Sequence, residues 1–201
     1  MQLPIFDTLN ENLLPCDGEM FLYEHFFQQA KVEDWFTQLQ NTIAWKQEGM
    51  KMYGKEVNFP RLTAWYGEEG KTYKYSGLVN IPVPFTGLLL EMKTLIENKT
   101  NHRFNSALLN LYRNGQDSMG WHSDNEPELG VNPTIASVSF GGERVFQLKH
   151  KQDKQLTRSI VLKDNSLLLM QGAIQHHWLH QIPKTAKPTL PRINITFRKT
   201  V

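Results

Sequence analysis

Two hydrophobic periodicities divide this chain. Between residues 28 and 44, Val32, Trp35, Phe36, Leu39 and Ile43 recur at helical spacing, so one face of a helix is apolar. A second helix is predicted over residues 85–98, with the stripe Leu88, Leu89, Met92, Leu95 and Ile96. Pro82 and Pro84 precede it, where proline can open a helix without interrupting one. After residue 103 the period falls to two, and Ala107, Leu109 and Leu111 alternate with Leu108, Asn110 and Tyr112. The runs 134–140, 144–150, 158–162, 166–171, 176–182 and 192–198 are short and β-rich, separated by turn residues such as Gly141-Gly142 and Asp164-Asn165. Closely spaced short strands predict a sandwich or barrel. Residues 1 to 27 are irregular apart from one short extended piece. Helices first and strands afterwards predict an α+β domain with the helices packed on one sheet.

Composition narrows the class. With 201 residues, 40% hydrophobic and 21% charged, the chain reads as one soluble globular domain. A net charge of +2 permits nucleic-acid binding without arguing for it. One cysteine, Cys16, rules out an intrachain disulfide and a multi-thiolate zinc site, and fits a reducing compartment. Met1 to Asp7 lacks a basic region followed by an apolar stretch, and no apolar run approaches the ~18 residues of a membrane span. The expected location is cytoplasmic, or nuclear in a eukaryotic host.

The chemistry begins at Trp121-His122-Ser123-Asp124. On an extended backbone residues i and i+2 point the same way, so His122 and Asp124 can ligate one ion. His176, His177 and His180 are candidates for a third ligand. Alternation puts His176, Trp178 and His180 on one face, and spacing alone does not choose between 176 and 180. Two imidazoles and a carboxylate suit non-haem Fe(II) with open positions. The same set serves hydrolytic zinc, and a half-buried strand with satisfied imidazoles has the same pattern.

The last strand separates these readings. Arg192, Asn194, Thr196 and Arg198 alternate with Ile193, Ile195 and Phe197. A solvated strand has this pattern too, but a polar face with two arginines and no acid is a candidate anion-binding surface. Six residues of strand span roughly 20 Å, so both arginines reach one small dicarboxylate only by leaning inward. Asn110 and Tyr112 can add an amide and a phenol.

Taken together, Asn110-Leu111-Tyr112 with Gly115, His122-Ser123-Asp124-Asn125-Glu126, Ile135 to Gly141, Trp178 to Pro183 and Pro191 to Arg198 resemble the AlkB family of Fe(II)/2-oxoglutarate dioxygenases. The similarity runs from about residue 50 to the C-terminus and is nearest the branch that repairs alkylated double-stranded DNA. The resemblance implies a double-stranded β-helix (jelly-roll) core over residues 103–201. Residues 1–50 would be an N-terminal extension with the first helix, and 51–80 a nucleotide-recognition lid, all within a single domain. It implies His122, Asp124 and His180 as iron ligands, and Asn110, Tyr112, Arg192, Asn194 and Arg198, with Thr196 close by, around 2-oxoglutarate. The implied reaction takes O2, oxidises 2-oxoglutarate to succinate and CO2, and hydroxylates an N-methyl group that then leaves as formaldehyde.

The resemblance also assigns the lid. Met52-Tyr53-Gly54-Lys55 is similar to a hairpin that wedges an aromatic side chain into the stack, with Tyr53 as the wedge; chemistry on a base requires its extrusion. Arg61, Tyr73, Tyr75 and Ser76 fall in the recognition lid. Tyr75 and His122 would sandwich the base, and Tyr73 would contact it or its phosphate. The lesions 1-methyladenine and 3-methylcytosine are cationic, which aromatic faces and a carboxylate from Glu126 would favour. Asn125 departs from the pattern, since duplex-acting relatives carry an acid there. The basic run Lys149 to Lys154 is either a phosphate contact or a solvated loop. The implied partner is alkylated DNA, probed by a monomer without membrane contact. RNA or a protein side chain as substrate, a zinc hydrolase, and a metal-free nucleic-acid-binding jelly roll are the alternatives.

Overall fold

The computed structural model describes residues 11–52, 54–68, 73–75, 78–80 and 82–201. The elements in chain order are β1 (Glu19–Tyr23), α1 (Gln29–Val32), α2 (Trp35–Thr42), β2 (Gly49–Met52), β3 (Lys55–Asn58), β4 (Leu62–Gly67), β5 (Tyr73–Tyr75), β6 (Leu78–Asn80), β7 (Val83–Pro84) and α3 (Gly87–Thr100). There follow β8 (Ser106–Tyr112), β9 (Met119–His122), β10 (Ile135–Gly141), β11 (Arg144–His150), β12 (Thr157–Leu162), β13 (Ser166–Gln171), α4 (Ile174–His177), β14 (Trp178–Ile182) and β15 (Arg192–Arg198). Seven strands form one sheet in the order β1-β13-β10-β15-β8-β4-β7, and four form a second in the order β12-β11-β14-β9. All pairs within them are antiparallel except β4 with β7. The hairpins β2–β3 and β5–β6 are separate two-stranded sheets.

Strand alternation sorts side chains into two cores. Ala107, Leu109, Leu111, Ala136, Val138, Phe140, Ile193, Ile195 and Phe197 pack with Trp35 and Leu39 of α2 and Leu89, Met92 and Ile96 of α3. The other face of the seven-stranded sheet supplies Tyr112, Ile135, Leu168 and Met170, which meet Phe146, Leu148, Leu162, Trp178 and Ile182 of the smaller sheet. The expected α+β arrangement with helices on one sheet is therefore observed, around a sandwich of two sheets. Burial on both faces also explains why β8 and β15 are buried along their whole length.

Two elements depart from the periodicity. The single helix expected over 28–44 is two short ones, broken at Glu33 and Asp34, because Asp favours a helix boundary over its interior. The strand expected over 176–182 begins only at Trp178, since Ile174–His177 form a helical turn. His176 therefore does not share a strand face with Trp178 and His180. The Gly141-Gly142 turn is as expected, and Gly141 has φ +83 with Pro191 O and Phe36 filling the space a Cβ would take.

The end of α3 is tied down by a buried carboxylate. Glu97 accepts from Phe104 N at 2.8 Å and pairs with Lys93 at 3.0 Å and Arg103 at 3.1 Å. Burial alone would raise its pKa, but the Phe104 N–H, Lys93 and Arg103 outweigh that and hold it below the usual carboxylate value. A depressed folded-state pKa contributes stability that is complete above the unfolded value of about 4.3 and is lost as pH falls through the folded one. Glu97→Gln is expected to lower Tm at pH near 7 and to differ much less from the parent in strong acid. Thermal unfolding at the two pH values checks this; an equal deficit at both would refute it.

Candidate metal centre and acid-binding cavity

Two strands of the smaller sheet bring the imidazoles together. His122 ends β9 and stands opposite His180 of β14, with ring centroids 4.2 Å apart. Asp124 follows in the loop, where its backbone N–H donates to Gln175 Oε1 at 2.9 Å. Its carboxylate oxygens lie 4.0 Å from His122 Nε2 and 4.0 Å from His180 Nε2. The three ligand atoms fall within 4.8 Å of one another.

Protonation suits a metal. His122 Nδ1 lies 2.8 Å from Gly120 O, and a carbonyl can only accept, so Nδ1 carries a proton and Nε2 is the ring nitrogen turned toward Asp124. His180 is 4% exposed, and burial with the neighbouring His122 pushes its pKa down to about 3, so it is a neutral imidazole at ordinary pH. Burial alone would raise the Asp124 pKa, but Arg198, whose Nη2 donates at 2.8 Å, together with the two imidazoles holds the carboxyl below its usual value. Two imidazole nitrogens and one ionised oxygen fit the two-histidine, one-carboxylate iron set. His176 and His177 do not join this cluster.

A cavity opens beside these ligands, lined by Asn110, Tyr112, Asn194, Thr196 and both arginines of β15. The polar face of the last strand thus looks inward rather than to solvent. Arg198 anchors one end of it on Asp124. At the other, Arg192 is 1% exposed; its Nη2 donates to Ser139 Oγ at 2.9 Å and its guanidinium lies 5.3 Å from the Tyr112 ring centroid. Burial lowers its pKa to about 10, which still leaves it cationic near neutrality. Arg192 Nε and Nη1 are buried without a hydrogen-bond partner among the described residues. Two orphaned donors on a buried cation are costly unless an acid completes them. The cavity therefore fits an anionic co-substrate.

Not every residue of the expected set presents its polar atoms to that cavity. Asn194 donates both amide hydrogens internally, to Ser137 Oγ at 2.8 Å and Val138 O at 2.9 Å, and accepts from Thr196 at 3.3 Å. Arg61 is buried, against Asn110. Tyr53 and Ser76 lie outside the described residues, and Tyr73 and Tyr75 form the hairpin strand β5, paired with Asn80 and Leu78 of β6. Asn125 is exposed, and Glu126 Oε2 is buried without a partner among the described residues. Residues 151–154 of the basic run form an exposed turn, from which Lys151 donates to Ser123 Oγ at 3.1 Å and Gln175 O at 2.8 Å, while Lys149, in β11, lies over the Trp121 ring at 4.3 Å.

A family model of the 2OG-Fe(II) oxygenase superfamily matches residues 19–198. The chain belongs to this superfamily. Fe(II), 2-oxoglutarate and O2 are accordingly its cofactors, and His122, Asp124 and His180 form a triad that can hold the iron. Alpha-ketoglutarate-dependent dioxygenase alkB homolog 3 of Homo sapiens is 42% identical over 182 residues, covering 86% of this chain and 63% of that one. DNA oxidative demethylase ALKBH2 of Homo sapiens is 34% identical over 187 residues, covering 88% and 72%. The chain thus spans under two thirds of the first relative's length. The solved structure of OsALKBH1 matches the superfamily fold here with a TM-score of 0.64 at 16% identity, covering 90% of this chain and 96% of that one. No helix among the described residues is long and apolar enough to cross a membrane.

Gln175, Ser137 and Ser139 were not singled out as site residues by the sequence reasoning. The two serines had a signal, the alternation of Ser137 and Ser139 with Ala136, Val138 and Phe140, which makes a polar row beside that of β15 on the same face of the sheet. Gln175 has none, because its contact with Asp124 crosses 51 residues of chain.

Proposed function

We propose that the protein is an Fe(II)/2-oxoglutarate-dependent demethylase that repairs N-alkylated bases such as 1-methyladenine and 3-methylcytosine in DNA. The observation that carries this reading is the His122–Asp124–His180 cluster set beside a buried arginine with two unanswered donors. The names of the relatives, one a DNA oxidative demethylase, support nucleic acid as the substrate. Bound iron supplies oxygen activation coupled to the oxidation of 2-oxoglutarate to succinate and CO2.

The chain's own residues hold and orient. His122, Asp124 and His180 ligate. Arg192 and Tyr112 take the far carboxylate of 2-oxoglutarate, and Arg198 keeps Asp124 ionised and fixed. Burial of this set excludes water from the reacting side, which strengthens every charge interaction within it. Tyr53 wedges the duplex, and Tyr73, Tyr75 and Ser76 form the lid that receives the extruded base. Tyr75 and His122 stack on it. The buried carboxylate oxygen of Glu126 favours the positive charge of the lesion.

The test supplies the protein with Fe(II), ascorbate, 2-oxoglutarate and an oligonucleotide bearing one 1-methyladenine, as duplex DNA, single-stranded DNA and RNA. Expected are succinate, formaldehyde and an oligonucleotide lighter by one CH2, fastest on duplex DNA. Succinate with no demethylation of any nucleic acid would reject the substrate class, and a faster RNA reaction would reject DNA as the preferred one.

A further inference from the structure

We infer that Arg61 is a positioning residue for the co-substrate cavity: it fixes the amide of Asn110 so that the N–H groups of that amide face 2-oxoglutarate. The inference rests on the proposed 2-oxoglutarate chemistry of this site. It differs from a direct role for Arg61 in gripping nucleic acid.

Arg61 opens the segment into β4, directly after the hairpin β2–β3, where a surface lid residue would be exposed. Instead it is 4% exposed. Its Nε donates to Asn110 Oδ1 at 2.8 Å, its Nη1 to Ser118 O at 3.3 Å, and its guanidinium lies 5.0 Å from the Phe59 ring centroid. The backbone around it is equally constrained. Arg61 N bonds Phe59 O at 2.8 Å, Ser118 N bonds Pro60 O at 2.8 Å, and Gln47 Nε2 bonds Phe59 O at 2.8 Å. The hairpin's exit is thereby fastened to β8 and to the loop that leads into β9 and His122.

The chemistry of the pair decides which way the amide points. A guanidinium has donors only, so the Asn110 atom facing it must be the carbonyl oxygen. The planar amide then turns Nδ2 away from Arg61, and Asn110 lines the cavity. A carboxylate there needs a donor; a flipped Asn110 would offer it an acceptor. Asn194 cannot substitute, since its amide hydrogens already serve Ser137 and Val138. Arg61 therefore sets the sign of the hydrogen bond that Asn110 offers, from the side opposite the ligand.

The experiment measures 2-oxoglutarate binding by calorimetry with Mn(II) replacing iron and no turnover, and separately the KM for the methylated oligonucleotide. The variants are Arg61→Met, which keeps volume but no donor, Arg61→Lys, which keeps a donor, Asn110→Ala, and Arg61→Met with Asn110→Ala. Arg61→Met is expected to weaken 2-oxoglutarate about tenfold, the loss of one well-oriented hydrogen bond. Arg61→Lys should recover most of that, and the double variant should bind no worse than Asn110→Ala alone, because Arg61 acts through Asn110. Additive losses in the double variant, or a loss confined to the oligonucleotide KM, overturn the inference. Should Arg61→Met fail to fold, Asn110→Ala decides: 2-oxoglutarate binding unchanged in that variant overturns the inference equally, since Arg61 acts through the Asn110 amide. Because binding is read without turnover, an inactive nucleic-acid assay would count against the proposed substrate and not against Arg61. A parent protein that fails to bind 2-oxoglutarate would sink the co-substrate reading itself.

Discussion

Asp124→Ala is expected to reduce demethylation to background while leaving oligonucleotide affinity unchanged. The residue is the sole carboxylate of the cluster, and its oxygens lie 4.0 Å from both ligand nitrogens. Its loss takes away the anionic ligand and leaves two imidazoles beside the Arg198 cation, which repels a metal. The same change removes the carboxylate that Arg198 holds at 2.8 Å, so Tm should fall as well, by the equivalent of about 3 kcal/mol for breaking a buried ion pair from one side. Asp124→Asn separates the two effects, since it keeps an acceptor for Arg198 but not the charge. Iron binding by calorimetry, turnover and thermal unfolding provide the check. Retained turnover in Asp124→Ala would reject the ligand assignment.

The second large effect has opposite signs in two assays. Arg192→Met should weaken 2-oxoglutarate binding about thirtyfold or more, because truncating one side of a buried, hydrogen-bonded charge pair costs roughly 2–5 kcal/mol. Without co-substrate the same variant should be at least as stable as the parent. Arg192 there is a buried cation with two unanswered donors, and an apolar side chain of similar volume relieves that cost. The rise in Tm that 2-oxoglutarate brings to the parent should vanish in the variant. If Arg192→Met instead lowers the ligand-free Tm and keeps the ligand-induced rise, the cation serves the fold and not the acid.

Local chemistry was readable wherever it follows strand alternation. The cavity face of β15 and the apolar face against the helices were both visible as the alternation of Arg192, Asn194, Thr196 and Arg198 with Ile193, Ile195 and Phe197. What alternation could not say is that the polar face is interior, since a second sheet covers it only through contacts between distant strands. The turn at Ile174–His177 was missed for the opposite reason: a His-Trp-Leu-His run has strand propensity, and the backbone bonds of His176 and His177 to Ala173 O prevail locally. Spacing left His176 and His180 open as ligands; pairing with His122 across β9 and β14 places His180 in the cluster. The roles of Arg61 and Gln175 rest on single hydrogen bonds spanning 49 and 51 residues, a distance over which sequence pattern carries no register.

The hairpins β2–β3 and β5–β6 pair only within themselves, and neither contributes a strand to the large sheets. The register of β8, β10 and β15 is set without either hairpin, so the metal-binding sheets and the hairpins can diverge at different rates. A hairpin exchanged with that of a relative is expected to leave the two large sheets folded, provided that the joint at Phe59-Pro60-Arg61 is carried over intact.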